Sequence, residues 1–137
     1  MKLYAIGKRT SEGISYDKGY TSREYAMENL ELWRQKMPVD CQLNVVKREV
    51  PYVYTLTCTK VGDSVEQGIV EVYGHLEECH SYMSEVYKRA IKEAGTAVLE
   101  AWVEDTQAYY RTESYSMRWD IIVSDDIPKG CRKVKYL

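Results

Sequence analysis

The densest grouping of chemically capable side chains is His75, Cys79 and His80, with Glu77 and Glu78 between them. Imidazole, thiolate and carboxylate are the usual ligands of zinc, and residues four apart on a helix share a face. His75 and Cys79, with Cys58 from an earlier strand, are therefore the metal candidates. The opposing reading is that Cys79 continues an apolar stripe with Leu76 and Met83, where a small thiol is an ordinary core residue, and that His75 faces water at the helix entrance. No C-x-x-C or H-x-x-x-H pair reinforces the set, so no metal or cofactor is expected.

Catalysis needs a nucleophile or base beside a helper, and two histidines offer few ways to build one. Cys79 and His80 are adjacent, so on a helix their side chains point about 100° apart. Glu100, Glu104, Glu113 and Asp120 are carboxylates that cross-strand pairing could bring close enough to share a proton. Their neighbours Arg111 and Arg118 favour instead a charged, solvated sheet face. The phosphate loop G-x-x-x-x-G-K-[ST], the dinucleotide pattern G-x-G-x-x-G and the nucleophile elbow G-x-S-x-G are all missing. The expectation is a protein that binds rather than an enzyme. The alternative is a small-ligand sensor or enzyme with a pocket between two halves, lined by Tyr, His and Cys.

These side chains are positioned by a repeating succession of elements. Lys2–Arg9 alternates as a strand, Ser11-Glu12-Gly13 is a turn, and Ile14–Asp17 a return strand. Thr21-Ser22-Arg23-Glu24 fits a capping box, with Thr21 as the cap of a helix whose inner stripe is Ala26, Leu30, Trp33 and Met37. Pro38 ends that helix, and Cys41–Glu49 is a strand. After Pro51, Tyr52–Thr59 and Gln67–Tyr73 read as strands around the turn Val61–Ser64. Leu76, Cys79, Met83, Val86, Tyr87, Ala90, Ile91 and Ala94 then recur at helical spacing, and Gly95 provides the stop. Ala97–Glu104, Gln107–Glu113 and Met117–Val123 are three further strands.

The fold class that follows is α+β: largely antiparallel sheet with two amphipathic helices, in two ββα-type halves. Residues 1–50 run ββαβ, residues 51–128 run ββαβββ, and residues 129–137 are a basic tail, the whole forming one unit. Both halves begin on a tyrosine-bearing strand, Tyr4 and Tyr52, although residue identity between them is poor. The tail is expected as an edge strand or a loose end.

Charge is unevenly spread. Residues 51–128 carry fourteen Asp and Glu against six Lys and Arg, whereas residues 1–50 carry nine basic against seven acidic side chains. A nucleic-acid binder should present a basic face, so direct nucleic-acid binding is not expected, and an acidic second half fits a partner with a basic surface. No apolar run approaches the roughly 20 residues that cross a bilayer, and four scattered cysteines suit a reducing compartment. A cytoplasmic protein away from membranes is expected.

Thirteen tyrosines and three tryptophans stand beside no phenylalanine at all, a bias toward rings with a polar handle. Period-two alternation puts Leu99, Ala101 and Val103 on one face and Glu100, Trp102 and Glu104 on the other. With Leu99, Val103, Trp119 and Ile121 buried under the second helix, the opposite face displays Glu100, Trp102, Glu104, Tyr109, Arg111, Glu113, Arg118 and Asp120. That is the candidate protein-binding surface, since an indole among charges on an outward strand face is what an interaction patch would show. Size and charge suggest an inhibitor carried by a phage or mobile element and directed at a nucleic-acid-handling host defence enzyme.

Overall fold

The computed structural model describes residues 1–36 and 42–136. The chain is α+β. Its described residues form nine strands and two α-helices in the order β1 Lys2–Thr10, β2 Gly13–Tyr20, α1 Arg23–Arg34, β3 Gln42–Glu49, β4 Val53–Val61, β5 Val65–Tyr73, α2 Leu76–Ala94, β6 Glu100–Val103, β7 Gln107–Arg111, β8 Ser116–Ser124 and β9 Lys133–Lys135. All nine strands join one sheet in the order β3-β1-β2-β9-β5-β4-β8-β7-β6. Pairing is antiparallel throughout except between β5 and β9. None of the described helices is long and apolar enough to cross a membrane.

Both helices lie on the same side of this sheet, as β9 makes clear. Lys133 pairs with Tyr20, which packs under α1, and Lys135 pairs with Tyr73, which packs under α2. Alternate residues of a strand share a face, so Lys133 and Lys135 put the two helices together. Val134 points to the opposite side. There it meets Leu3 and Ala5 from β1, Val53 from β4 and Val72 from β5, so both halves contribute to one buried cluster. The tail is thus the central strand of the sheet and not an edge or a loose end. It is tied in by Thr21 N to Arg132 O, Thr21 Oγ1 to Cys131 O and Gly74 N to Lys135 O. Lysines on either side of a single valine disguise a strand that is only three residues long.

The same unit is built twice around β9. In the first half β1 lies between β3 and β2; in the second, β4 lies between β8 and β5. Tyr4 faces Tyr20 as Tyr54 faces Tyr73, and each pair is followed by a bulge on the second strand, between Ala5 and Gly7 and between Leu56 and Thr57. Each helix then begins at the same offset from that tyrosine, with Ser22 at the boundary in one case and His75 in the other. The buried helical residues, Ala26 and Leu30 against Cys79 and Met83, correspond in turn. Tyr54, not Tyr52, is therefore the counterpart of Tyr4. A twofold relation normal to the sheet accounts for antiparallel inner strands with both helices on one side.

Local chemistry fixes the helix ends. Ser22, one residue later than the expected Thr21, is the cap of α1 and accepts from Tyr25 N at 3.2 Å, while Thr21 is engaged by the tail. Ala26 and Leu30 are buried and Trp33 half-buried; Met37, Pro38 and Cys41 lie outside the described residues. Helix α2 ends as its spacing requires, with Gly95 at φ +58°, a conformation that a side chain would disfavour.

Candidate functional site

One side of the second half is covered by α2. Beneath it lie Leu56, Tyr73, Ala108, Tyr110, Trp119 and Ile121, packed on Cys79 and Met83. The other side of β4, β8, β7 and β6 carries no helix. Register assigns its residues: Trp102 faces Tyr109, which faces Arg118; Glu100 faces Arg111; and Gln107 faces Asp120. Six of the eight residues expected on the binding surface, Glu100, Trp102, Tyr109, Arg111, Arg118 and Asp120, are thereby brought onto one open face. Glu104 follows β6 into the turn, where its amide donates to Gln107 O. Glu113 sits apart in the β7–β8 turn, which is held by Thr112 Oγ1 accepting from Ser114 N and Tyr115 N.

The indole of Trp102 is half-buried and stacks on Tyr109 with ring centroids 5.5 Å apart and 26° between planes. Around it the charges are paired within the face. Arg111 Nε donates to Glu100 Oε2 at 2.8 Å, Arg118 Nε to Asp120 Oδ2 at 2.9 Å, and Gln107 Nε2 to Asp120 Oδ1 at 2.8 Å. Glu104 and Glu113 are exposed and enter no ion pair among the described residues. On the face itself two carboxylates, Glu100 and Asp120, balance two guanidinium groups, Arg111 and Arg118, so the aromatic stack rather than an acidic field is its most distinctive feature.

Burial under α2 reaches less far than the alternation implied. Trp119 and Ile121 are buried, but Leu99 is 53% and Val103 45% exposed. The reason is position: β6 is the outermost strand, and α2 packs on β4, β5, β7 and β8. Sequence reasoning also overlooked the floor of the open face, where Thr55 and Thr57 of β4 are buried and Ile122 of β8 is exposed. The alternation of threonine with Tyr54, Leu56 and Cys58 was the available signal. The hydroxyls of Thr55 and Thr59 are buried and have no hydrogen-bond partner among the described residues.

The metal candidates are dispersed. His75 stands at the N-terminal boundary of α2 without a side-chain capping bond and is exposed, Cys79 is buried with Sγ 4.0 Å from Tyr54 O, and Cys58 is half-buried on β4. Among the described residues no three His, Cys, Asp or Glu side chains converge as a metal site would need. His80 Nδ1 lies 2.8 Å from Asp105 O, linking α2 to the β6–β7 turn. Cys58, Cys79 and Cys131 are free thiols whose pKa burial pushes up, that of Cys79 to about 12. A thiol held protonated is a poor nucleophile.

At the junction of the halves, a cavity of about 400 Å³ opens between Ile69–Val72 of β5 and the segment Lys129–Lys133. Of the tyrosine, histidine and cysteine side chains expected there, Cys131 lines it. The tyrosines gather on the helix side, where Tyr73 stacks on Tyr136 and also meets Tyr82. Compared with family models, with curated proteins and with solved structures, the chain matches none.

Proposed function

We propose that this chain is a small non-enzymatic binding protein whose contact surface is the helix-free face of β6, β7 and β8. The observation that supports this reading is the Trp102–Tyr109 stack, which stands on a sheet face that neither α1 nor α2 covers, while α2 covers the other side of β7 and β8. Rigid aromatic anchors ringed by charges are the residues that dominate protein interfaces. The side chains around them are already fixed by the Glu100–Arg111 and Arg118–Asp120 pairs, so little side-chain freedom remains to be lost on binding.

Within this proposal the partner is a cytoplasmic protein with a basic surface. Its specific form is an inhibitor carried by a phage or mobile element that occupies the basic channel of a nucleic-acid-handling host defence enzyme. The face is balanced in charge, and the exposed Glu104 and Glu113 in the turns that flank it supply the negative charge that suits such a partner. Affinity capture from a host lysate tests it. The wild-type chain should retain a nucleic-acid-binding protein that Trp102→Ala combined with Glu104→Lys releases. An identical set of captured proteins with both chains would reject the proposal.

A further inference from the structure

The two halves of the sheet are joined only through the short strand β9. Strand β9 is three residues long and meets β5 only at Tyr73, whereas β5 runs back to Val65 and pairs with β4 along its length. Beyond that single pairing, Val65–Ile69 present an edge with no strand beside it among the described residues. All five are exposed, Val65 at 69%. Unpaired amides and carbonyls along such an edge are a template for one more strand.

Where this edge runs toward β9 it leads into the cavity lined by Ile69, Val70, Glu71 and Val72 on one wall and by Lys129–Lys133 on the other. The second wall brings Lys129, Arg132 and Lys133. None of them enters an ion pair among the described residues, although Arg132 lies over the ring of Tyr25. The nearest carboxylate on β5, Glu71, is taken by Lys135 Nζ at 3.5 Å. An apolar floor at the end of an open edge, closed by unpaired cations, matches an extended segment of apolar residues that ends in carboxylates.

We infer that the β5 edge is a second interaction site, which takes up an acidic-ended peptide of a partner as an added strand. Its backbone pairs with Val65–Ile69, its apolar side chains extend the row of Val65 and Ile69, and its terminal carboxylates meet Lys129 and Lys133. The outer edges of the sheet are less suited. Strand β6 has only four residues, and β3 carries Lys47, Arg48 and Glu49 in succession. This site is separate from the Trp102 face and does not depend on that reading.

The test uses the full chain and a synthetic peptide of about ten residues, the upper end of usual strand lengths, with alternating Val and Thr and two Glu at its end. Titration by anisotropy should show binding that rising salt weakens. Hydrogen exchange should show slowed amides in Val65–Ile69 alone. A peptide with Lys in place of Glu, or the exposed double substitution Lys129→Glu with Lys133→Glu, should bind about tenfold more weakly, because each reversal turns an attraction into a repulsion. Trp102→Ala should bind the peptide as the wild type does. Protection elsewhere, equal affinity for the Lys peptide, or no binding at all would each overturn the inference. So would slowed Val65–Ile69 amides that need no peptide and deepen with protein concentration, since a second copy would then fill the edge.

Discussion

The two halves share a frame and differ in what lies on its helix-free side. In the first half, Tyr16 and Asn44 close over Gly7 so tightly that a Cβ there would come within 2.8 Å of each, and Arg48 lies 5.0 Å from the Tyr16 ring. In the second half the matching position is Thr57, and the face around it stays open. That half also inserts the β6–β7 hairpin between its helix and β8, the strand that corresponds to β3. The inserted hairpin supplies Glu100, Trp102, Tyr109 and Arg111. What the halves hold in common builds the core, and what the second half adds builds the candidate contact face.

The largest effect that would test this division comes from two tryptophans on opposite sides of one meander. Trp119, the counterpart of Leu43, is buried against Tyr87 and Tyr110 under α2. Trp119→Ala should cost about 3–5 kcal/mol, as large-to-small changes in a core do. Trp102, on the insertion, loses little more than its stack on Tyr109, so Trp102→Ala should cost about 1 kcal/mol. Urea denaturation of both variants measures the contrast. Equal losses would mean that the hairpin belongs to the core and that its face is structural.

Much of this frame could be read from residue order, because it rests on local rules. Alternation separated Trp102 from Trp119, and the spacing from Leu76 to Ala94 defined α2 to the residue. What residue order does not carry is position across the sheet. Leu99 and Val103 alternate like core residues, yet β6 is outermost and α2 does not reach it. Lys133-Val134-Lys135 resembles a solvated tail, yet two β-strand ends converge on it and bury Val134. Ion pairing escaped for the same reason: Glu100 meets Arg111 only because β6 and β7 pair in one particular register.

A second contrast between the halves is chemical. Where α1 has Ala26, α2 has Cys79, fully buried, with its thiol pushed from 9.0 to about 12 by burial. In the unfolded chain the thiol ionises near 9.0, so between the two values the unfolded state releases a proton that the folded state retains. Stability from this group is therefore complete below pH 9 and declines as pH rises toward 12. Cys58 and Cys131, and at higher pH Tyr73 and Tyr110, whose pKa burial also raises, add to the decline. Cys79→Ala, which installs the first half's residue, should flatten the onset just above pH 9 in unfolding free energies measured across that range. An unchanged slope would show that the thiol is not sealed beneath α2.

The smallest effect concerns a buried position on the helix-free side, where the second half carries a hydroxyl that the first lacks. Ala5 and Thr55 occupy matching positions on β1 and β4, each following the tyrosine of its half. Ala5 is wholly buried and brings no polar atom, whereas Thr55, 5% exposed, carries a buried hydroxyl with no partner among the described residues. A buried hydroxyl that gains no hydrogen bond loses its hydration without return, and an apolar group of the same shape avoids that loss. Thr55→Val should accordingly raise stability by about 1 kcal/mol, seen as a higher urea midpoint with an unchanged denaturant slope. It should leave partner capture intact, because Thr55 is buried and lies four residues along β4 from Thr59, the residue in register with Arg118, Tyr109 and Trp102. A loss of stability would mean that the hydroxyl is satisfied in the folded protein, and that the open face is better built at its centre than its counterpart in the first half suggests.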